Sequence, residues 1–200
     1  MPAPRTPAPP IGPANRPSTG RTRNEQARQD ILAATLALAR HDLGATTVDS
    51  IAARAGVGKQ TIYRWWPSKW AVILDALLAH AEREIRTGTD SGPPADRLAT
   101  FLVSSFDLLT GPDSDGPLLR ALMAQAQLDP GFAVAWREKF ILPRRRALAQ
   151  LLNAGAQDDR EAAVDLIFGG MWYRLLVEHG PLDEAYARRL STAALALLTE

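Results

Sequence analysis

Five hydrogen-bonding side chains crowd six residues of this 200-residue chain: Lys59, Gln60, Thr61, Tyr63 and Arg64, with no carboxylate among them. These types suit the edges of nucleic-acid bases and the phosphates beside them. The Gln60 amide can pair bidentately with adenine. The Thr61 methyl or hydroxyl can meet thymine, another base or a phosphate. The Arg64 guanidinium can fork onto guanine or bridge phosphates. Tyr63 suits a phosphate oxygen, and Lys59 adds a cation. Lys69 follows at the expected start of a long helix, where the backbone N–H groups favour an anion. Thr47 is placed to cap a shorter helix and to touch phosphate as well. Arg21 and Arg23 lie close enough to the first helix to reach the same polyanion.

Such side chains read DNA only if a rigid element carries them into a groove. The surrounding residues have the required spacing. Ala52 is small enough for two helices to approach, and Gly56, four residues later, suits a left-handed turn. Val57 and Ile62 then plug the space between the helices, and Ile51 faces an earlier helix. A small residue, glycine and two apolar residues at relative positions 0, +4, +5 and +10 make the pattern of a DNA-binding helix-turn-helix. An ordinary helical hairpin is the competing reading. A tryptophan pair follows. Trp66 is expected in the core and Trp65 half-buried beside the phosphates, although two indoles could instead stack on bases.

Helix-period apolar spacing extends over the rest of the chain, and no strand-like alternation appears. The expected helices cover 24–41, with Asn24 as N-cap, then 48–55, 58–65, 68–86, 95–110, 116–128, 130–153, 159–179 and 182–198. Pro143 should kink or split the 130–153 helix near Ile141, and Gly180-Pro181 should separate the last two. The fold is therefore all-α, with about nine helices. Residues 1–20 hold seven of the fifteen prolines and read as a disordered arm. Residues 21–70 form the helix-turn-helix domain, and residues 71–200 form a second helical domain.

Charge divides along the same line. Residues 1–70 carry ten basic and four acidic residues, whereas residues 71–200 carry thirteen and eighteen. A basic half joined to an acidic one suits a polyanion partner at one end. The absence of cysteine excludes disulfides and thiolate metal sites, and the three histidines are scattered. No metal and no cofactor is expected. The sequence holds no Gly-rich phosphate loop and no evident nucleophile–base pair, so an enzyme is not expected. No apolar run has membrane-spanning length and no secretory signal is seen, so a cytoplasmic protein without a membrane partner is expected.

Residues 46–78 resemble the tetracycline-repressor-like (TetR) family of bacterial transcriptional regulators. The resemblance rests on Thr47-Val48-Asp49-Ser50-Ile51-Ala52, Ala55-Gly56-Val57, Lys59-Gln60-Thr61-Ile62-Tyr63 and Trp66-Pro67-Ser68-Lys69. The chain departs from the family pattern at Gly58, where serine is usual, and at Trp66, where phenylalanine is usual. Gly58 should weaken the cap of the third helix. The resemblance implies a homodimer on a palindromic double-stranded operator, and often a small-molecule pocket.

Val164, Ile167, Phe168, Met171 and Leu175 form one apolar stripe, and Leu190, Ala194 and Leu197 form another. Paired with their twofold mates, these would make a four-helix dimer interface. The competing reading is that they close the core of one chain. Gly169-Gly170 interrupts the first stripe and suggests a close approach. On helices that line the pocket in relatives stand Phe101, Phe106, Met123, Trp136, Phe140, Met171 and Trp172, a set suited to a hydrophobic or aromatic effector. Arg120, Gln125 and Arg137 are candidate polar contacts, and Arg144-Arg145-Arg146 reads as a solvated face. The expected function is a homodimeric repressor released from its operator by a small hydrophobic ligand. The alternative is a ligand-independent architectural or low-specificity DNA binder.

Overall fold

The computed structural model describes residues 19–84, 92–111, 114–152 and 154–198. Every regular element among them is helical. In chain order these are α1 (Thr19–His41), α2 (Val48–Ala55), α3 (Lys59–Trp65), α4 (Lys69–Glu84), α5 (Pro94–Thr110), α6 (Gly116–Leu128), α7 (Pro130–Trp136), a π-helical turn (Arg137–Ile141), α8 (Leu142–Leu151), α9 (Gln157–Val177) and α10 (Glu184–Ala196). Counting α7, the π turn and α8 as one rod, the described residues form nine helices.

The first four helices make a small bundle. Ile31, Leu32, Leu36 and Ala39 of α1 are buried together with Ile51, Ala52, Ile62, Trp66, Val72 and Ile73. Thr47 caps α2 through a capping box with Ser50, its hydroxyl accepting from the Ser50 N–H at 3.1 Å. Gly56 ends α2 in the left-handed region (φ 66°), and its N–H and that of Val57 return to the last carbonyls of the helix. A side chain at that φ would be strained, so glycine supports the turn. Gly58 leaves α3 without a side-chain cap, as expected.

Three boundaries differ from the sequence reading. Helix α1 starts at Thr19, so Asn24 is an exposed residue inside the helix and not its cap. Nothing from Arg21 to Arg23 interrupts a helix, and Gln26–Asp30 and Glu25–Gln29 hydrogen bonds brace this turn. Of the expected arm, Thr19 and Gly20 belong to α1, while residues 1–18 lie outside the described residues. Helix α9 ends before Gly180-Pro181, because Glu178 takes the left-handed cap conformation (φ 54°). Near Ile141, where Pro143 was expected to kink or split the helix, the rod passes through the π turn between α7 and α8. The Leu142 N–H reaches back five residues to the Arg137 carbonyl through the π turn.

The other helices enclose a second cluster continuous with the first. Helix α5 packs on α10, α6 packs on α7, and α9 packs on α8 and α10. Gly170 lets α9 and α10 meet, since a Cβ there would stand 2.5 Å from the Tyr186 hydroxyl. Arg40 of α1 bridges to the buried Asp115 at the start of α6. Its Nε and Nη2 both point at Oδ1, at 2.8 and 2.7 Å, and Oδ2 has no hydrogen-bond partner among the described residues.

Candidate functional site

Helix α3 turns one polar face outward. Lys59, Gln60, Tyr63 and Arg64 are exposed, while Ile62 is fully buried. Thr61 is half-buried, so it offers less of its side chain than its neighbours do. The Arg64 guanidinium stacks 5.2 Å from the half-buried Trp65 ring, which holds it near the end of α3. Trp66 is core, 3% exposed, and meets Trp65 edge-on. Of the earlier candidates, Arg23 is exposed on α1, while the side chain of Arg21 lies outside the described residues.

Four charged residues beside this face, Asp49, Asp75, Lys139 and Arg28, have no role in the sequence analysis. Asp49 of α2 forms an ion pair with Lys59, so the recognition face includes a carboxylate that α3 does not supply. Asp75 of α4 accepts a hydrogen bond from Trp66 Nε1 at 2.9 Å and another from Lys139 of the π turn at 2.9 Å. Arg28 stands 3.9 Å from the same carboxylate. Asp75 thus joins α1, the end of α3, α4 and the π turn. The partners lie up to 64 residues away in sequence, which is why spacing did not show them. Lys69 donates to the Thr46 carbonyl at 3.2 Å and lies over Trp70, tying the start of α4 to the loop before α2. Thr46 itself is buried, and its hydroxyl donates to the Asp42 carbonyl at 2.7 Å. That hydroxyl is therefore not presented to a phosphate.

A cavity of about 350 Å³ lies between α4, α5, the start of α6, the π turn, α8 and α9. Most of its wall is apolar, with Leu77, Leu102, Leu119 and Met171 among the lining residues; the polar exceptions are Glu82, Ser105, Asp115, Lys139 and Arg144. Of the expected aromatic set, Phe101 and Phe140 line it. Trp172 lines a smaller neighbouring cavity of about 150 Å³, with Phe140, Arg144 and Phe168. Phe106, Met123 and Trp136 line neither. Phe106 is buried against Tyr186, Trp136 stacks on Phe140 with centroids 4.2 Å apart, and Met123 packs against the core. Arg120 is turned away toward Glu178 and the Leu175 carbonyl. The arginine run is not one solvated face. Arg145 pairs with Glu161 and Asp165, only Arg146 is exposed, and Arg144 enters the cavity wall.

The family described as "Bacterial regulatory proteins, tetR family" matches residues 31–76. The "Tetracyclin repressor-like, C-terminal domain" matches residues 89–194, more than half of the chain. The chain belongs to the TetR family of transcriptional regulators. Among its relatives is the uncharacterized HTH-type transcriptional regulator YdeS of Bacillus subtilis strain 168. It is 35% identical over 179 residues, covering 86% of this chain and 89% of that protein. The DNA-binding transcriptional repressor TetR of Mycobacteroides abscessus is 31% identical, over 76% of this chain and 82% of its own. The crystal structure of the TetR family transcription regulator SCO0332 superposes with a TM-score of 0.75 at 28% identity. The match covers 88% of this chain and all of that one.

In this TetR-family chain the expected dimer stripes need correction. Val164, Ile167, Met171, Leu175, Leu190 and Ala194 are buried within one protomer, and Phe168 is half-buried. Their surface is already used against α5, α6, α8 and each other, so it is not free for a twofold mate. Leu197 remains 38% exposed. The opposite face of α9 exposes Leu166, Gly169, Tyr173, Leu176 and Val177. Among the described residues, nothing beyond its own helix turn lies within 4 Å of a Cβ built on Gly169. Among the described residues, no helix is long and apolar enough to cross a membrane.

Proposed function

We propose that this TetR-family regulator is a homodimeric repressor that reads a palindromic operator with α3 and leaves it when a small hydrophobic molecule fills the helical domain. The observation that carries the reading is the outward face of α3, where Lys59, Gln60, Tyr63 and Arg64 are all exposed on a helix held by a buried Ile62 and the Gly56 turn. Residues 21–70 are the reading unit in this account, and residues 71–200 dimerise and bind the effector. Gln60 and Arg64 read bases, with Thr61 beside them. Lys59, Tyr63, Thr47 and the free protons of Lys69 meet phosphates, with Arg21 and Arg23 reaching the backbone at the edge of the site.

The dimer forms through the outward face of α9 with Leu197 at the end of α10, in the four-helix arrangement of two protomers. That face is apolar, and the exposed Gly169 at its middle permits close approach of a neighbouring helix. Helix α4 joins the two functions. It lines the cavity with Leu77, Leu78, Ala81 and Glu82, and its Asp75 holds Trp66 just past α3. An effector that favours a different position of α4 shifts the two reading helices relative to each other.

Selection of bound fragments from random-sequence DNA by the purified chain tests the reading. The expected product is an inverted repeat with half-sites about one helical turn, or a multiple of it, apart. Salt-sensitive binding without an enriched motif would instead indicate a low-specificity binder.

A further inference from the structure

The wall of the 350 Å³ cavity carries two cations, Lys139 and Arg144. Lys139 is paired with Asp75 at 2.9 Å, and the next arginine in the chain, Arg145, is paired with Glu161 and Asp165. Arg144 has no carboxylate at ion-pair distance among the described residues. Its one hydrogen bond is long, 3.4 Å from Nη1 to the Phe140 carbonyl, and its guanidinium carbon stands 3.7 Å from the centroid of the Phe140 ring. Burial pushes its pKa down to about 10, opposed by the charge of Glu82. At neutral pH the group is still a cation, held where charge is poorly solvated.

Its position is built by the backbone. The π turn immediately before α8 shifts the register of the rod, and Phe140 and Arg144 both reach the cavity wall. The same two residues line the 150 Å³ cavity with Phe168 and Trp172, so the guanidinium sits where the two spaces meet. A mostly apolar chamber with a fork-shaped cation that has no carboxylate at ion-pair distance among the described residues fits a planar anion attached to an apolar body.

We propose that Arg144 is the anion-binding residue of the cavity, and that the effector is an organic carboxylate with a hydrophobic body. The carboxylate takes the guanidinium, and the body lies along Leu77, Phe101, Leu102 and Met171. The assignment rests on the reading of the helical domain as an effector domain and names the chemical class that this domain takes. Glu82 gives the binding a direction. In the empty cavity its charge attracts Arg144 across the space between α4 and α8. A bound anion neutralises Arg144 and faces Glu82 with like charge, which disfavours the resting place of α4.

The test uses matched probes on the free, full-length protein: biphenyl-4-carboxylate against biphenyl-4-carboxamide, and decanoate against decanamide. Isothermal titration at pH 7.5 is expected to show at least one acid binding tenfold or more tighter than its amide. In Arg144→Gln the preference should fall below twofold, and Arg144→Lys should restore part of it. Glu82→Gln should tighten the acid several-fold and leave the amide unchanged, a readout that survives if Arg144→Gln does not fold. Equal binding of acid and amide, binding of none of the four, a preference that persists in Arg144→Gln, or no gain in Glu82→Gln would each overturn the assignment. No DNA enters these titrations, so a failure of the operator reading leaves them intact. An acid that binds through Arg144 without releasing operator DNA would contradict release by effector and not the assignment of Arg144.

Discussion

Lys59 shows how one contact changes the meaning of a residue. By type it is a phosphate cation, but Asp49 pairs with it on the exposed face. An exposed pair of this kind adds little stability, about 0–1 kcal/mol. Its effect falls on DNA, because the carboxylate offsets one positive charge at the reading face. Asp49→Asn should raise affinity for any duplex and steepen the dependence of log K on log salt by about one. Anisotropy titrations of a random duplex across a salt series read this directly. Gly58 makes a second case. Its backbone (φ −77°) is open to any residue, and among the described residues nothing beyond its chain neighbours lies within 4 Å of a Cβ built there. Gly58→Ser should cap α3 and stabilise the fold by about 0.5 kcal/mol, seen as a small rise in the urea midpoint.

At the scale of elements, local signals were readable and distant ones were not. The α2–turn–α3 unit was legible because Thr47, Ala52, Gly56 and Ile62 act on neighbours within fifteen residues. The start of α1 was misplaced because Asn24 is a good cap in principle, yet nothing before it breaks a helix. The α9 residues expected at a dimer interface are buried within the chain for a clear reason. That helix is apolar on two faces, and periodicity alone does not say which face meets its own chain. The aromatic set partly failed in the same way. Phe106 finds its ring partner in the distant Tyr186, a contact that spacing does not encode, and Trp136 stacks on Phe140 one turn along the same rod, where spacing shows the pair but not that it faces the core. Arg144 was missed because three consecutive arginines look solvated unless the π turn before them is known.

The Arg40–Asp115 bridge belongs to this scale as well, since it ties α1 to α6. Asp115 is 2% exposed, so removing its partner leaves a buried carboxylate uncompensated. Arg40→Ala should cost about 2–4 kcal/mol, less than for a fully buried pair because Arg40 keeps some exposure. Urea unfolding followed by circular dichroism measures it.

For the whole molecule, two copies are needed to read a palindrome, and the outward face of α9 is where they meet in this account. Leu166→Glu with Leu176→Glu should give a folded monomer with unchanged helix content and at least a hundredfold weaker operator binding. Sedimentation equilibrium at micromolar concentration reads the first effect. A double variant that stays dimeric would place the interface elsewhere.

The central claim is that α3 reads bases through Gln60 and Arg64. Its most direct test compares Gln60→Ala and Arg64→Ala with the parent chain on the selected operator and on a scrambled duplex of the same length. The account predicts a loss of about 1–3 kcal/mol per variant on the operator and a much smaller loss on the scrambled duplex. Equal losses on both duplexes would contradict it, because the two residues would then be gripping backbone and not reading sequence.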